Sequence, residues 1–141
     1  MSKRYSSTTL RNQVVEHFQH LCCYCKTSAL IIGAEFTIDH IIPESLGGET
    51  RFENLCSACW ECNLHKQNQL VVLDPDTGNK VRLFHPHRQQ WAEHFAWVEA
   101  GLLIVGMTAT GRATVNALKL NRPRLVNARR LWISAGWHPP R

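Results

Sequence analysis

Six cysteines lie in the first half of the chain, and their spacing constrains it more than any other feature. Cys22-x-x-Cys25 comes first. The stretch Leu55-Cys56-Ser57-Ala58-Cys59-Trp60-Glu61-Cys62 then offers Cys56-x-x-Cys59 and Cys59-x-x-Cys62, which share a cysteine. A tight C-x-x-C turn aims both sulfurs the same way, so one pair can chelate one ion. Zinc takes four such ligands in a tetrahedron. Spacing alone does not choose between the two downstream pairs. The competing reading is six buried cysteines acting as small hydrophobes. Cys23 is expected to be a spare, packed under the site.

The redox setting matters to this choice. The start, MSKRYSSTTLRNQ, has charge but no apolar run behind it, so no signal peptide is expected. No apolar run approaches the ~20 residues needed to span a bilayer. The expected location is the cytoplasm, with no membrane partner. There thiols stay reduced, and paired C-x-x-C motifs are metal sites more often than disulfides.

Charge adds a second constraint. The 141-residue chain carries a formal net charge of +5, a weak hint of an anionic partner. Its distribution says more. From Gly111 to Arg141 there are seven basic residues and no acidic ones. A one-signed end suits a phosphate-backbone contact surface, although a solvated basic face with no partner fits as well.

Hydrophobic spacing organises the rest. Leu10, Val14, Phe18 and Leu21 recur at helical intervals and predict a helix from Thr8 to about His20, capped by Thr8 or Thr9. The β-branched, apolar run Phe36–Ile42 reads as a strand stopped by Pro43, and Glu44–Glu53, with Gly47-Gly48, as a loop. Asn54-Leu55-Cys56 can start a second strand, and Trp60 to about Leu70 reads as a helix. Val71–Leu73 and Lys80–Phe84 flank a strong turn and predict a hairpin. A second hairpin is expected across Glu99-Ala100-Gly101. Thr110 is expected to cap a helix from Gly111 to about Lys119. Pro123 is expected to open a last helix whose apolar face holds Leu125, Ala128, Trp132 and Ala135, with Arg129 and Arg130 off that face. Trp91 and Trp97 are expected in the core, and His85, His87 and His94 as surface or packing residues.

Between the two cysteine groups lies Thr37-Ile38-Asp39-His40-Ile41-Ile42-Pro43, then Gly47-Gly48, then Asn54-Leu55. Asn63 directly follows Cys62, with Lys66 three residues on. This ordered set, from roughly Leu21 to Gln69, resembles the HNH endonuclease family. In the family pattern the second cysteine pair lies five and eight residues past the middle Asn. The resemblance therefore selects Cys22, Cys25, Cys59 and Cys62 as a closed structural zinc site and leaves Cys56 as a strand residue. A closed site has no open position for water, so such a zinc would brace the fold and not catalyse.

The resemblance further implies an active site. Asp39 and Asn63 become oxygen ligands of a catalytic Mg²⁺ or Mn²⁺, and His40 the general base. Asn54 would brace the loop and orient His40. Lys66, and less directly His65, would meet a phosphate. Asp39 and His40 are neighbours, and neighbours on a regular strand face opposite ways. They can share a site only where the strand ends or is distorted.

The fold class expected is α+β: a small ββα-metal core braced by a four-cysteine zinc site, with a C-terminal hairpin and basic helices. The expected organisation is a nuclease domain over 1–84 and a basic accessory module over 85–141, packed on the same domain. The function implied by the resemblance is hydrolysis of DNA phosphodiester bonds; from the charge of the basic C-terminal end, Arg112, Arg129 and Arg130 are expected as further nucleic-acid contacts. The alternative is a zinc-stabilised nucleic-acid-binding module without catalysis. The sequence leaves open RNA as a substrate, nick against double-strand cut, a targeting partner protein, and oligomeric state.

Overall fold

The computed structural model describes residues 8–141. The first seven residues, part of the stretch read as lacking a signal peptide, lie outside the described residues. Among the described residues, no helix is long and apolar enough to cross a membrane. The chain forms two compact units: the described residues up to Leu70 together with His85–Arg88, and Val71–Phe84 together with Gln89–Arg141. This division places the 71–84 hairpin in the second unit, whereas the sequence grouped it with the first.

The first unit begins with helix α1 (Thr8–His17), which buries Val14. Gln19 and His20 adopt left-handed φ of 58° and 62°, so the helix stops short of His20. The Cys22–Cys25 turn follows. It is closed by Cys22 N–H on the Thr27 carbonyl (2.8 Å) and Lys26 N–H on the Cys22 carbonyl (2.9 Å). A single helical turn, α2 (Ala29–Ile32), is capped by the Ser28 hydroxyl and ended by Gly33 at φ 70°. Strand β1 (Thr37–His40) pairs antiparallel with β2 (Leu55–Ala58), in the register Asp39↔Cys56 and His40↔Leu55. All four β2 residues are buried. Helix α3 (Trp60–Lys66) is capped by Cys59 and ends where Gln67 turns to φ 52°, short of the expected Leu70.

The second unit holds two hairpins and two longer helices. Strand β3 (Val71–Leu73) pairs with β4 (Lys80–Arg82). Their turn is organised by Asp74. Its carboxylate accepts from the Asp76 N–H (3.2 Å) and the Thr77 hydroxyl (2.8 Å). A short helix, α4 (Trp91–His94), leads into β5 (Phe95–Val98), which pairs with β6 (Leu103–Gly106). Helix α5 (Ala109–Leu118) is capped by Thr108, not the expected Thr110: the Thr108 hydroxyl accepts from Gly111 N–H. Gly111 allows the chain at His94 and Gly106 to approach α5 closely, because a Cβ there would overlap the His94 carbonyl oxygen. Helix α6 (Pro123–Ser134) opens with Pro123 as expected. The architecture is α+β, with short antiparallel strand pairs among helices.

Candidate functional site

The Cys22–Cys25 turn and the start of α3 bring Cys22, Cys25, Cys59 and Cys62 together. Their four sulfurs all lie within 4.8 Å of one another, and all four residues are buried. The Cys25 and Cys59 sulfurs are 3.7 Å apart. A zinc tetrahedron with bonds of ~2.3 Å has sulfur–sulfur edges of about 3.8 Å, so the cluster has the size of a four-thiolate metal site. Thr27 Oγ1 lies 3.1 Å from Cys25 Sγ, and Cys62 N–H donates to Cys59 Sγ at 3.5 Å. Hydrogen bonds from the neighbouring thiols hold Cys25 and Cys59 below the usual thiol range. Burial pushes Cys22 up, and bonding with Cys22, Cys25 and Cys59 pushes Cys62 up. Four buried sulfurs at this spacing offer a cation a tetrahedron of soft ligands, and the donor set fits zinc. Cys56 stays out of this cluster. It turns its thiol toward Tyr24 Oη (3.8 Å) and Asp39 Oδ2 (3.9 Å), which resolves the choice that spacing left open.

A second constellation lies at the end of β1. Asp39, His40, Glu44, Ser45, Asn63 and Gln67 help to line one cavity of about 380 Å³. Asp39 and His40 keep the alternation of a strand. Asp39 is buried and faces Lys66 Nζ (3.1 Å) and the Tyr24 hydroxyl (3.5 Å). His40 faces the loop, with Nε2 2.9 Å from Thr50 Oγ1 and 3.6 Å from Glu44 Oε2. Both residues still reach the cavity because β1 ends at His40. Burial pushes the Asp39 carboxyl up, and the Lys66 ammonium pulls it back down. Asp39 and Asn63, the two oxygen ligands that the resemblance implied, both line this cavity.

Asn54 ties the intervening loop shut. Its Oδ1 accepts from Ile42 N–H (2.8 Å), and its Nδ2 donates to the carbonyls of Ile42 (3.0 Å) and Glu49 (2.9 Å). The Asn54 carbonyl also accepts from Ile41 N–H at 2.8 Å. The side chain thus fixes the backbone two residues after His40. Gly48 sits against this clamp, where a Cβ would overlap the Ile42 carbonyl oxygen. The loop therefore needs glycine there.

The expected phosphate contacts fare differently. Lys66 is 1% exposed and is engaged by Asp39 and by the His40 carbonyl (3.0 Å), so it does not stand at the surface. Arg112 makes a bidentate pair with the buried Asp74, Nε to Oδ1 at 3.0 Å and Nη2 to Oδ2 at 2.8 Å. Arg129 was expected off the apolar face of α6, yet it is fully buried. Its guanidinium donates to the carbonyls of Leu102 (3.0 Å) and Leu120 (2.6 Å) and stacks 5.2 Å from the Trp97 ring centre. Each of these three cations satisfies acceptors inside its own unit. Arg130 alone of the four expected contacts is exposed, and it donates to Asn127 Oδ1 at 3.0 Å.

Thr50, Glu44 and Tyr24 contact the Asp-His pair, and sequence reasoning singled out none of them for the site. Only Glu44 left a signal, its i,i+4 spacing from His40. His87 is a packing residue as expected: its Nε2–H donates to the Leu55 carbonyl (2.7 Å), and its ring stacks on His17.

No curated protein and no solved structure matches the chain. A family comparison does find a match, and it falls on the segment that carries both the four-cysteine cluster and the Asp39–His40–Asn63 cavity. Residues 22–69 match the family model described as HNH endonuclease.

Proposed function

We propose that this chain is a metal-dependent endonuclease that hydrolyses phosphodiester bonds of DNA. The observation that supports this reading is the shared cavity of Asp39, His40 and Asn63, inside the segment matching the HNH endonuclease family. Asp39 and Asn63 would hold one Mg²⁺ or Mn²⁺. That cation would supply positive charge to the phosphate and to the departing oxygen. His40 takes the proton of a water as its oxygen attacks phosphorus. The bond from phosphorus to the leaving oxygen breaks, and that oxygen collects a proton from solvent. Asn54 fixes the loop that follows His40. Cys22, Cys25, Cys59 and Cys62 would hold a structural zinc that positions α3, and with it Asn63.

The exposed basic residues Lys119, Arg124 and Arg130 would meet the DNA backbone. The accessory role of the basic C-terminal residues belongs to the same proposal.

A second reading has one observation in its favour. Lys66 neutralises Asp39 from 3.1 Å, which weakens that carboxylate as a cation ligand. On that reading the chain is a zinc-stabilised nucleic-acid-binding module. Conversion of supercoiled plasmid with Mg²⁺ or Mn²⁺, wild type against His40→Ala, decides between them. Cutting by the wild type and not by a folded His40→Ala supports the enzyme. Binding without cutting by both supports the module.

A further inference from the structure

His40 does not stand alone in its cavity. Its side chain is 17% exposed, and Nε2 lies 2.9 Å from Thr50 Oγ1 and 3.6 Å from Glu44 Oε2. Thr50 Oγ1 is in turn 3.5 Å from the same Glu44 oxygen. The three groups form a closed triangle, with a hydroxyl between a ring nitrogen and a carboxylate. Other charged groups near His40 act elsewhere. Asp39 faces Lys66, and Lys66 reaches the His40 backbone carbonyl, not its ring.

We infer that Thr50 and Glu44 are positioning residues for His40, fixing the ring and the direction of its hydrogen bond. The inference rests on the reading of His40 as the general base. A threonine hydroxyl has one proton to give and lone pairs to accept with, whereas an ionised carboxylate only accepts. Glu44 therefore draws the hydroxyl proton to its own side. The Thr50 oxygen is left to accept, and the group that donates to it is Nε2–H. This order leaves Nδ1 as the nitrogen with the free lone pair, the one able to take a proton from water. A neutral imidazole has one donor and one acceptor nitrogen, so a bond that fixes one fixes the other. The hydroxyl–carboxylate link is long for a hydrogen bond. The charge of Glu44, more than a short contact, sets the polarity.

The elements that carry these residues suit the role. Glu44 opens the 3-10 turn Glu44–Leu46 directly after Pro43, and Thr50 lies at the far end of the same loop. Asn54 holds that loop at Ile42 and at Glu49, before and after Glu44. The two partners of His40 thus sit on a braced segment.

The test combines plasmid cleavage with ¹⁵N NMR of the His40 ring, in the zinc-loaded full chain. Variants are Thr50→Val, Thr50→Ser and Glu44→Gln. Glu44 is largely exposed, so Glu44→Gln keeps the test open should Thr50→Val fail to fold. Thr50→Val is expected to lower kcat about 10- to 100-fold with little change in KM, the usual cost of losing an outer partner. Thr50→Ser should restore most of it. In the NMR arm both Thr50→Val and Glu44→Gln should shift the His40 population away from the Nε2–H tautomer. Wild-type rates and unmoved ring signals in both variants, with His40→Ala inactive, overturn the positioning role and leave the nuclease reading intact. No cleavage even by the wild type overturns the nuclease reading instead, and the ring signals alone then decide whether Thr50 and Glu44 set the tautomer.

Discussion

Lys66 places its ammonium 3.1 Å from Asp39 Oδ2 and 3.0 Å from the His40 carbonyl oxygen, so one buried cation holds both members of the Asp-His pair. Truncating one partner of a buried pair leaves the other charge uncompensated, at a cost of about 3–5 kcal/mol. Lys66→Met is expected to destabilise the fold on that scale in guanidinium unfolding. Adding Asp39→Asn to it should recover part of the loss. Simple additivity of the two changes would mean that the pair does not couple.

The cysteine cluster predicts a metal stoichiometry. Elemental analysis of purified protein should give one zinc per chain. Cys59→Ser or Cys22→Ser should lose it and lower the melting temperature sharply. Cys56→Ser should keep it, because Cys56 turns to Tyr24 and Asp39. Loss of zinc from Cys56→Ser alone would overturn the ligand set.

In the second unit, acid should act through Asp74. The Arg112 guanidinium holds its carboxyl well below the usual carboxylate range. A depressed folded value means stability that is present above the unfolded value of ~3.9 and is lost as pH falls toward the folded one. Asp74→Asn should therefore lower the melting temperature at pH 7. The gap from wild type should narrow in thermal melts below about pH 3. A gap that stays constant down to the most acid melt would assign its effect to packing.

Asn54→Ala removes three side-chain hydrogen bonds from the 42–49 loop. Leaving the Ile42 backbone groups without these partners should cost about 1–3 kcal/mol. Amide exchange should rise locally, over the loop and at Ile42, more than in β2. Uniform acceleration across the first unit would point to global destabilisation instead.

Arg129 and Arg130 are adjacent in sequence and opposite in exposure. Arg129→Met should destabilise the second unit, because Leu102 and Leu120 lose their donor. Arg130→Ala should leave the melt unchanged and weaken binding to a DNA duplex, with a smaller salt dependence. Equal effects of the two on DNA affinity at matched stability would contradict the assignment.

Legibility in the sequence followed the range of each interaction. Both hairpins and the opening of α6 were readable because alternation, turn residues and Pro123 act locally. Helices α2 and α4 were not, since four residues carry no periodicity. Cys22 and Cys25 were readable because a C-x-x-C turn constrains itself, whereas the choice of Cys59 and Cys62 over Cys56 came from the family resemblance and not from spacing. The fates of Arg112 and Arg129 were hidden. Arg112 meets Asp74 from 38 positions away and Arg129 meets Leu102 from 27 away, and a count of charges says nothing of burial. Lys66 was found by motif and misplaced by role. Its carboxylate partner lies on a strand that only the folded chain brings near.

Cys59 follows β2, contributes a sulfur to the cluster, and caps α3. A helix of seven residues is far too short to persist alone in water. Asn63 N–H bonds the Cys59 carbonyl at 3.0 Å, so Asn63 is registered directly on that cap. Nucleation of α3 is therefore tied to the closing of the thiol cluster. Without metal, the four thiols would not hold Cys59 in place, and the cap on which α3 starts would lose that support. Availability of metal during synthesis, more than the amount of chain made, would then set how many molecules carry an ordered Asn63.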